Sequence, residues 1–206
     1  MLSGPCAPYA QRMTHPGDPM ALFREAFERA KAREPFEANA MSLATVDAEG
    51  RPSVRMVLLK EADQRGFVFF TNYGSRKARE LDGQGVAALC LHWPKGEEQV
   101  RVEGEVERVS DEESDAYFAT RHPESQLGAW ASRQSEALDE RATLEARVEA
   151  MRTRFAGAAV PRPPHWGGYR VVPRRIELWQ GKPSRLHERH VYERDGEAWS
   201  YRLLYP

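Results

Sequence analysis

Gln99-Val-Arg-Val-Glu-Gly-Glu-Val-Glu-Arg-Val109 alternates without a break, with Val100, Val102, Gly104 and Val106 on one face and mostly charged residues on the other. A period of two marks a half-buried strand, because successive side chains leave a strand on opposite sides. Upstream, VAALCLHW (86–93) and GFVFFTN (66–72) are further predicted strands, and MSLATV, a DAEG turn and PSVRMVLLK (52–60) predict a hairpin. Downstream, GGYRVV (167–172), RRIELWQ (174–180) and RLHERHVYER (185–194) read as strands, and an Asp195-Gly196 turn leads into AWSYRLL (198–204).

Helices are few and grouped. Asp18 as N-cap and Pro19 at the first helical position open an amphipathic helix to about Arg33. GSRKARELDG predicts one short helix entered through Gly74-Ser75. Ser110 and Glu113 form a capping box for a helix through Tyr117, stopped by Pro123, with a short helical piece resuming through Trp130. A longer helix is expected from about Asp139, with Leu144, Val148, Met151 and Phe155 on one face, and PRPP (161–164) is a rigid connector. Six or more strands in mostly hairpin order predict a mainly β, α+β chain: an antiparallel β-barrel with peripheral helices. Nothing alternates as βαβ, and no G-x-G-x-x-G or Walker loop occurs. Residues 1–17 read as a flexible tail and 18–206 as a single domain.

Composition narrows the function classes. A chain of 206 residues with 41% hydrophobic and 30% charged residues is globular rather than disordered. Thirty Lys+Arg against 31 Asp+Glu give a net charge of -1, which argues against nucleic acid as a partner. No stretch approaches the ~18 apolar residues of a membrane span. The start, MLSGPCAPYAQRM, lacks the regions of a signal peptide, so no membrane partner and a cytoplasmic location are expected. Cys6 and Cys90 make neither a disulfide framework nor a metal-ligand spacing, and Cys90 is read as a packing residue.

Four clusters could carry chemistry. On the strand Arg55-Met-Val-Leu-Leu-Lys60, Arg55, Val57 and Leu59 share one face and Met56, Leu58 and Lys60 the other; the two cations line a site or reach solvent at the strand ends. Thr71-Asn-Tyr-Gly-Ser-Arg-Lys77 leads into a helix start bearing Arg76 and Lys77, which is a phosphate cradle or a solvated basic helix end. Tyr117 and Arg121 lie one helical turn apart, followed by Ser125, and all three can donate to a phosphate or simply form a surface face. Arg185, His187 and Arg189 fall on one face if RLHER is extended, and such a row of cation-capable side chains repels itself unless something anionic or electron-rich covers it. The same extended geometry sends His187 and His190 to opposite faces, so zinc is rejected. These clusters point to a compact β domain that binds something phosphorylated.

RMVLLK (55–60), FFTNYGSRKA (69–78), Gln99, YFATRHPESQLGAWASRQS (117–135), HWGGYRV (165–171) and IELWQGKPSRLHER (176–189), in this order, closely resemble the pyridoxine 5′-phosphate oxidase family. The likeness runs from about Asp18 to the C-terminus. It implies the FMN-binding split-barrel fold and a homodimer with FMN at the subunit interface. By similarity, Arg55, Met56, Val57, Leu58, Leu59 and Lys60 line the flavin, and Phe70, Thr71, Arg76 and Lys77 hold its phosphate end. Gln99, Gln134, Ser135, Trp179 and Arg189 complete the pocket. Lys60, Tyr117, Arg121 and Ser125 match the substrate-phosphate cluster. Arg185 and His187, with Leu186 between them, match the residues over the pyridine ring.

The reaction so implied is hydride transfer from C4′ of pyridoxine or pyridoxamine 5′-phosphate to the flavin. Pyridoxal 5′-phosphate forms, and O2 is reduced to hydrogen peroxide. A cation such as Arg189 beside the flavin would favour its reduced, anionic ring. The chain departs from the family at its start: Tyr9 has no arginine in register for the usual Arg-x-x-Tyr pair. Other readings are a different split-barrel flavin oxidase, of the phenazine-pathway type, and a non-catalytic FMN or pyridoxal-phosphate binding protein.

Overall fold

The computed structural model describes residues 17–206. Residues 1–16, with Cys6, Tyr9 and nearly all of the expected tail, lie outside the described residues. Helix α1 (Pro19–Arg33) starts as its sequence dictates: the Asp18 carboxylate accepts the Met20 and Ala21 N–H groups, both at 3.2 Å. A side-chain cap of this kind is worth about 1 kcal/mol. The helix buries Met20, Phe23, Ala26 and Ala30. Phe23 meets Phe67 edge-on at 4.8 Å and tilts against Trp93 at 6.4 Å, which seats α1 on the hydrophobic core.

The strands are β1 (Ala40–Val46), β2 (Pro52–Leu58), β3 (Glu61–Asp63), β4 (Gly66–Asn72), β5 (Val86–Trp93), β6 (Glu98–Arg108), β7 (Trp166–Gln180), β8 (Glu188–Asp195) and β9 (Ala198–Leu203). Every pairing is antiparallel, in the order β2-β1-β5-β6-β7-β4-β3, with the β8–β9 hairpin attached to β7. The short β3 was not expected from the sequence. It sits at the opposite end of the strand order from β2, yet only Leu59 and Lys60 separate the two in the chain. Lys60 N donates to Val68 O on β4 at 2.8 Å, so the chain crosses from one end of the strand order to the other within two residues, and the sheet curls into a half-barrel. The mainly β, split-barrel reading holds.

One strand replaces two at the C-terminal end. GGYRVV and RRIELWQ are not separate strands but the continuous, 15-residue β7. Proline lacks a backbone N–H and is tolerated in a strand only where no ladder bond is needed. Pro173 meets that condition. Along one edge β7 pairs with β6, with a bulge at Glu103/Gly104 opposite the proline. Along the other edge it pairs with β4 through residues 166–171 and with β8 through residues 175–180. Pro173 falls where that edge changes partner.

Helices α2 (Arg76–Gln84), α3 (Asp111–Ala119), α4 (Pro123–Ala131) and α5 (Arg141–Arg154) are peripheral, with α2 packed on β1, α3 on β7 and α5 on α4. The Ser110–Glu113 capping box is present in both directions. Pro123 does more than stop α3, because it is the first residue of α4. Helix α5 begins two residues after the expected Asp139, and Leu144, Val148, Met151 and Phe155 are all half-buried.

Candidate functional site

A cavity of about 640 Å³ opens between the end of β2, the end of β4, the start of α2 and the α3–α4 connection. Its walls include Met56, Val57, Leu58 and Lys60 from the first cluster, Thr71, Asn72 and Lys77 from the second, Tyr117, Arg121 and Ser125 from the third, and Phe70 just before the second. Gln134 also lines it, so three separate sequence clusters converge on one space. The lining contains three cations, Lys60, Lys77 and Arg121, and no carboxylate.

The far wall is aromatic. Tyr117 stacks on Phe70 at 4.1 Å and Phe70 on Trp166 at 5.4 Å, with interplanar angles of 19° and 8°. The glycines of HWGG permit this stack: a Cβ on Gly168 would meet the Phe70 ring at 2.8 Å. Arg121 lies over Trp166, Cζ 4.7 Å from the ring centroid. Its Nη1 is buried with no hydrogen-bond partner, and burial lowers its pKa. Arginine presents five donors in a fixed fork, so a guanidinium with an orphaned donor, set in the wall of a cavity without carboxylates, suits an anion.

The second cationic group lies at the start of α2. Ser75 caps the helix by accepting the Ala78 N–H, and the Arg76 N–H is taken by Ser135 Oγ at 3.1 Å. Lys77 Nζ donates to Gln134 Oε1 at 2.7 Å and to Thr71 Oγ1 at 3.3 Å. Half-buried and without a carboxylate partner, its ammonium is pushed down to about 8, chiefly by desolvation and then by the nearby Arg55. Gln134 and Ser135 thus fold onto the helix start, with Ser135 in the left-handed region at φ 74°.

Arg55 and Arg76 do not line the cavity. Glu80, 7% exposed, holds both: Arg76 Nε donates to Oε1 at 2.7 Å and Arg55 Nη2 to Oε2 at 3.2 Å. Thr45 and Ser53 hydroxyls also donate to Oε2, and these bonds hold the carboxyl at about 2 despite its burial. Arg55 spends further donors on Leu43 O, Thr45 Oγ1 and Ser53 Oγ, so its guanidinium is committed to the protein. Leu59 is buried in the core, its backbone N–H and carbonyl are both bonded to Asn39, and it does not line the cavity.

The fourth cluster is built differently from the expectation. Arg185, His187 and Arg189 do not share one face of an extended strand. Residues 183–185 form a tight helical turn, Ser184 and Arg185 take left-handed φ values of 58° and 62°, and β8 begins only at Glu188. His187 Nδ1 accepts the Lys182 N–H at 3.2 Å, which folds the turn back and brings its ring 4.7 Å from Trp179. Gln99, Trp179 and Arg189 are true cross-strand neighbours. Arg189 clamps the buried Glu177 with two bonds, at 2.7 and 3.1 Å. Arg185 and Leu186 are exposed. None of these residues lines the cavity. Trp166, in its wall, and Trp179 stand at opposite ends of β7, on the order of 40 Å apart along the chain at ~3.3 Å per residue.

Residues 27–155 match the family model described as pyridoxamine 5′-phosphate oxidase, and residues 166–206 match the pyridoxine 5′-phosphate oxidase C-terminal dimerisation region. The chain belongs to the pyridoxamine 5′-phosphate oxidase family. A pyridoxine/pyridoxamine 5′-phosphate oxidase of Anaeromyxobacter dehalogenans is 58% identical over 189 residues, covering 92% of this chain and 96% of that one. One from Myxococcus xanthus is 56% identical over 195 residues, covering 95% of each. Among solved structures, PhzG from Burkholderia lata, in complex with tetrahydrophenazine-1-carboxylic acid, superposes with a TM-score of 0.89 at 34% identity, covering 94% of this chain and 95% of that one. A pyridoxamine 5′-phosphate oxidase-related, FMN-binding protein of Nostoc punctiforme shares the fold, with a TM-score of 0.73 at 20% identity, covering 90% and 96%.

Membership makes the chain one of a family of oxidoreductases, and the cavity adds residues that the sequence clusters did not single out. His122, Gly128, Ala129, Ser132 and Trp166 all line it. Glu80 had a readable signal in its i,i+4 spacing from Arg76. Glu177 had none, because its three arginine partners, Arg101, Arg175 and Arg189, include two from other strands.

Proposed function

We propose that the chain is an FMN-dependent oxidase that converts pyridoxine 5′-phosphate and pyridoxamine 5′-phosphate to pyridoxal 5′-phosphate, and works as a homodimer. The observation that carries this reading is the cavity itself, with three cations, no carboxylate and an orphaned Arg121 donor beside an aromatic stack. Two groups of anion-binding side chains in one cavity suit two phosphates, one on the cofactor and one on the substrate.

When bound, FMN supplies a two-electron acceptor that O2 reoxidises. Lys77, Thr71, Gln134, Ser135 and Arg76 hold its phosphate end, and the strand from Met56 to Lys60 lies against its ring. Lys60, Tyr117, Arg121 and Ser125 bind the substrate phosphate and so orient the carbon that is oxidised. Arg185 and His187 pack over the pyridine, with Leu186 between them, and Gln99, Trp179 and Arg189 close the cofactor pocket. Because the two halves stand at opposite ends of β7, each site takes its second half from the partner subunit. The alcohol and O2 give the aldehyde and H2O2; the amine, O2 and water give the aldehyde, NH3 and H2O2.

The likeness to PhzG supports a second reading, oxidation of a reduced, carboxylate-bearing tricyclic substrate by the same fold. Purified protein supplied with FMN is given each B6 phosphate in air, and pyridoxal 5′-phosphate and peroxide are followed together. Equal rates of both products support the proposal. A flavin that ignores both B6 substrates but oxidises a dihydro- or tetrahydrophenazine carboxylate favours the second reading, and failure to bind FMN overturns both.

A further inference from the structure

The α3–α4 connection places His122 in the cavity wall between Arg121 and Ser125. Its ring does two jobs at once. Nδ1 accepts the Glu124 N–H at 3.3 Å, which makes His122 the N-cap of α4. A ring nitrogen that accepts carries no proton, so in the neutral imidazole the proton sits on Nε2. Nε2 makes no hydrogen bond among the described residues.

The backbone here leaves a ligand little else. Pro123 has no N–H, Glu124 N–H is spent on His122 Nδ1, and Ser125 N–H is spent on His122 O at 2.8 Å. Although α4 starts at the cavity, its first turn therefore presents side chains rather than free amides. The ones it presents are the His122 ring and the Ser125 hydroxyl, in the same cavity wall as Arg121, whose Nη1 has no hydrogen-bond partner.

We infer that His122 is a substrate-binding residue, whose Nε2–H donates to the phosphate held by Lys60, Arg121 and Ser125 and so sharpens selection of phosphorylated over unphosphorylated ligands. The inference rests on reading this end of the cavity as the substrate-phosphate site. The cap fixes the tautomer and aims the ring, and the anion uses the nitrogen that the cap leaves over.

The capping and donating roles can be separated. Asparagine is among the best N-cap residues, so His122→Asn keeps the cap and removes the Nε2 donor, whereas His122→Ala removes both. The FMN-loaded proteins are titrated with pyridoxal 5′-phosphate, inorganic phosphate and unphosphorylated pyridoxal, and their melting temperatures are recorded. The expected result for His122→Asn is about tenfold weaker binding of pyridoxal 5′-phosphate and of inorganic phosphate, as for one lost charge-assisted bond, with pyridoxal binding unchanged. His122→Ala shows the same loss together with a lower melting temperature. Weakening in His122→Ala but not in His122→Asn would reduce His122 to a cap and overturn the inference. A wild-type protein that binds pyridoxal as well as its phosphate would instead overturn the reading of the cavity beneath it.

Discussion

Arg121 lies over the indole of Trp166, Cζ 4.7 Å from the ring centroid, with Nη1 buried and unpartnered among the described residues. An arginine kept for stability would be paired, because an unsatisfied buried donor costs roughly 1–3 kcal/mol. The contact with the ring returns only about 0.5–2 kcal/mol. Arg121→Met keeps the packing and removes the orphaned charge. The variant is expected to melt no lower than wild type, yet to bind pyridoxal 5′-phosphate on the order of 50-fold more weakly, as for a lost bond between charged groups. Thermal unfolding and a ligand titration on the same preparation check this. A large fall in melting temperature would make Arg121 structural.

The lowered pKa of Lys77 sets a pH dependence for cofactor binding. Burial holds the free ammonium near 8, and a bound phosphate dianion raises that value. Below pH 8 the amine is already charged, so binding moves no proton. Above pH 8 binding must take one up, so affinity falls as pH rises, by at most about tenfold per pH unit. Fluorescence titration of the FMN-free protein between pH 7 and 9 should show the break near 8. Lys77→Met should bind FMN more weakly and lose the break.

What the sequence made legible was what is decided locally. Asp18-Pro19, the Ser110–Glu113 box, the Asp195-Gly196 turn and the alternation from Val100 to Val106 each act within a few residues, and each appears as expected. The gathering of Lys60, Lys77, Tyr117 and Arg121 into one cavity followed from the resemblance to a family; spacing alone had left each cluster open. Two features were illegible because they depend on partners. Pro173 reads as a break unless it is known that β7 changes neighbours there. RLHER reads as a strand because only glycine and asparagine advertise a left-handed turn, and here Ser184 and Arg185 adopt it. Two such residues cost about 1–2 kcal/mol each, and strain held beside a proposed ligand contact is a pointer to function.

Glu80 ties the strand and helix of the cofactor side together. Its carboxylate is 7% exposed and accepts from Arg55, Arg76, Thr45 and Ser53. Removing one partner of a buried ion pair costs ~3–5 kcal/mol, so Glu80→Ala is expected to unfold at markedly lower denaturant concentration. The carboxyl stands at about 2, below its ordinary 4.5. A depressed carboxyl stabilises the fold above its unfolded pKa, and that stability is lost as pH falls through the folded one. Wild type should therefore lose stability between about pH 4.5 and pH 2, and Glu80→Ala should lose less over the same window. Denaturant melts at pH 6, 4 and 3 compare the two slopes.

The placement of Trp166 and Trp179 at opposite ends of β7 leads to a prediction about sharing between subunits. If each site joins the cavity of one chain to the 185–189 segment of its partner, Arg121→Ala and Arg185→Ala damage opposite halves, and either homodimer is nearly inactive. Unfolded together in equal amounts and refolded, half of the dimers would be mixed. In a mixed dimer one site receives both defects and the other receives none, so about a quarter of wild-type activity should return. Each variant refolded alone is the control and should regain nothing. A mixture that stays inactive, although mass spectrometry finds mixed dimers, would place both halves of the site on one chain. The left-handed turn at Arg185 would then have to swing toward the cavity of its own subunit.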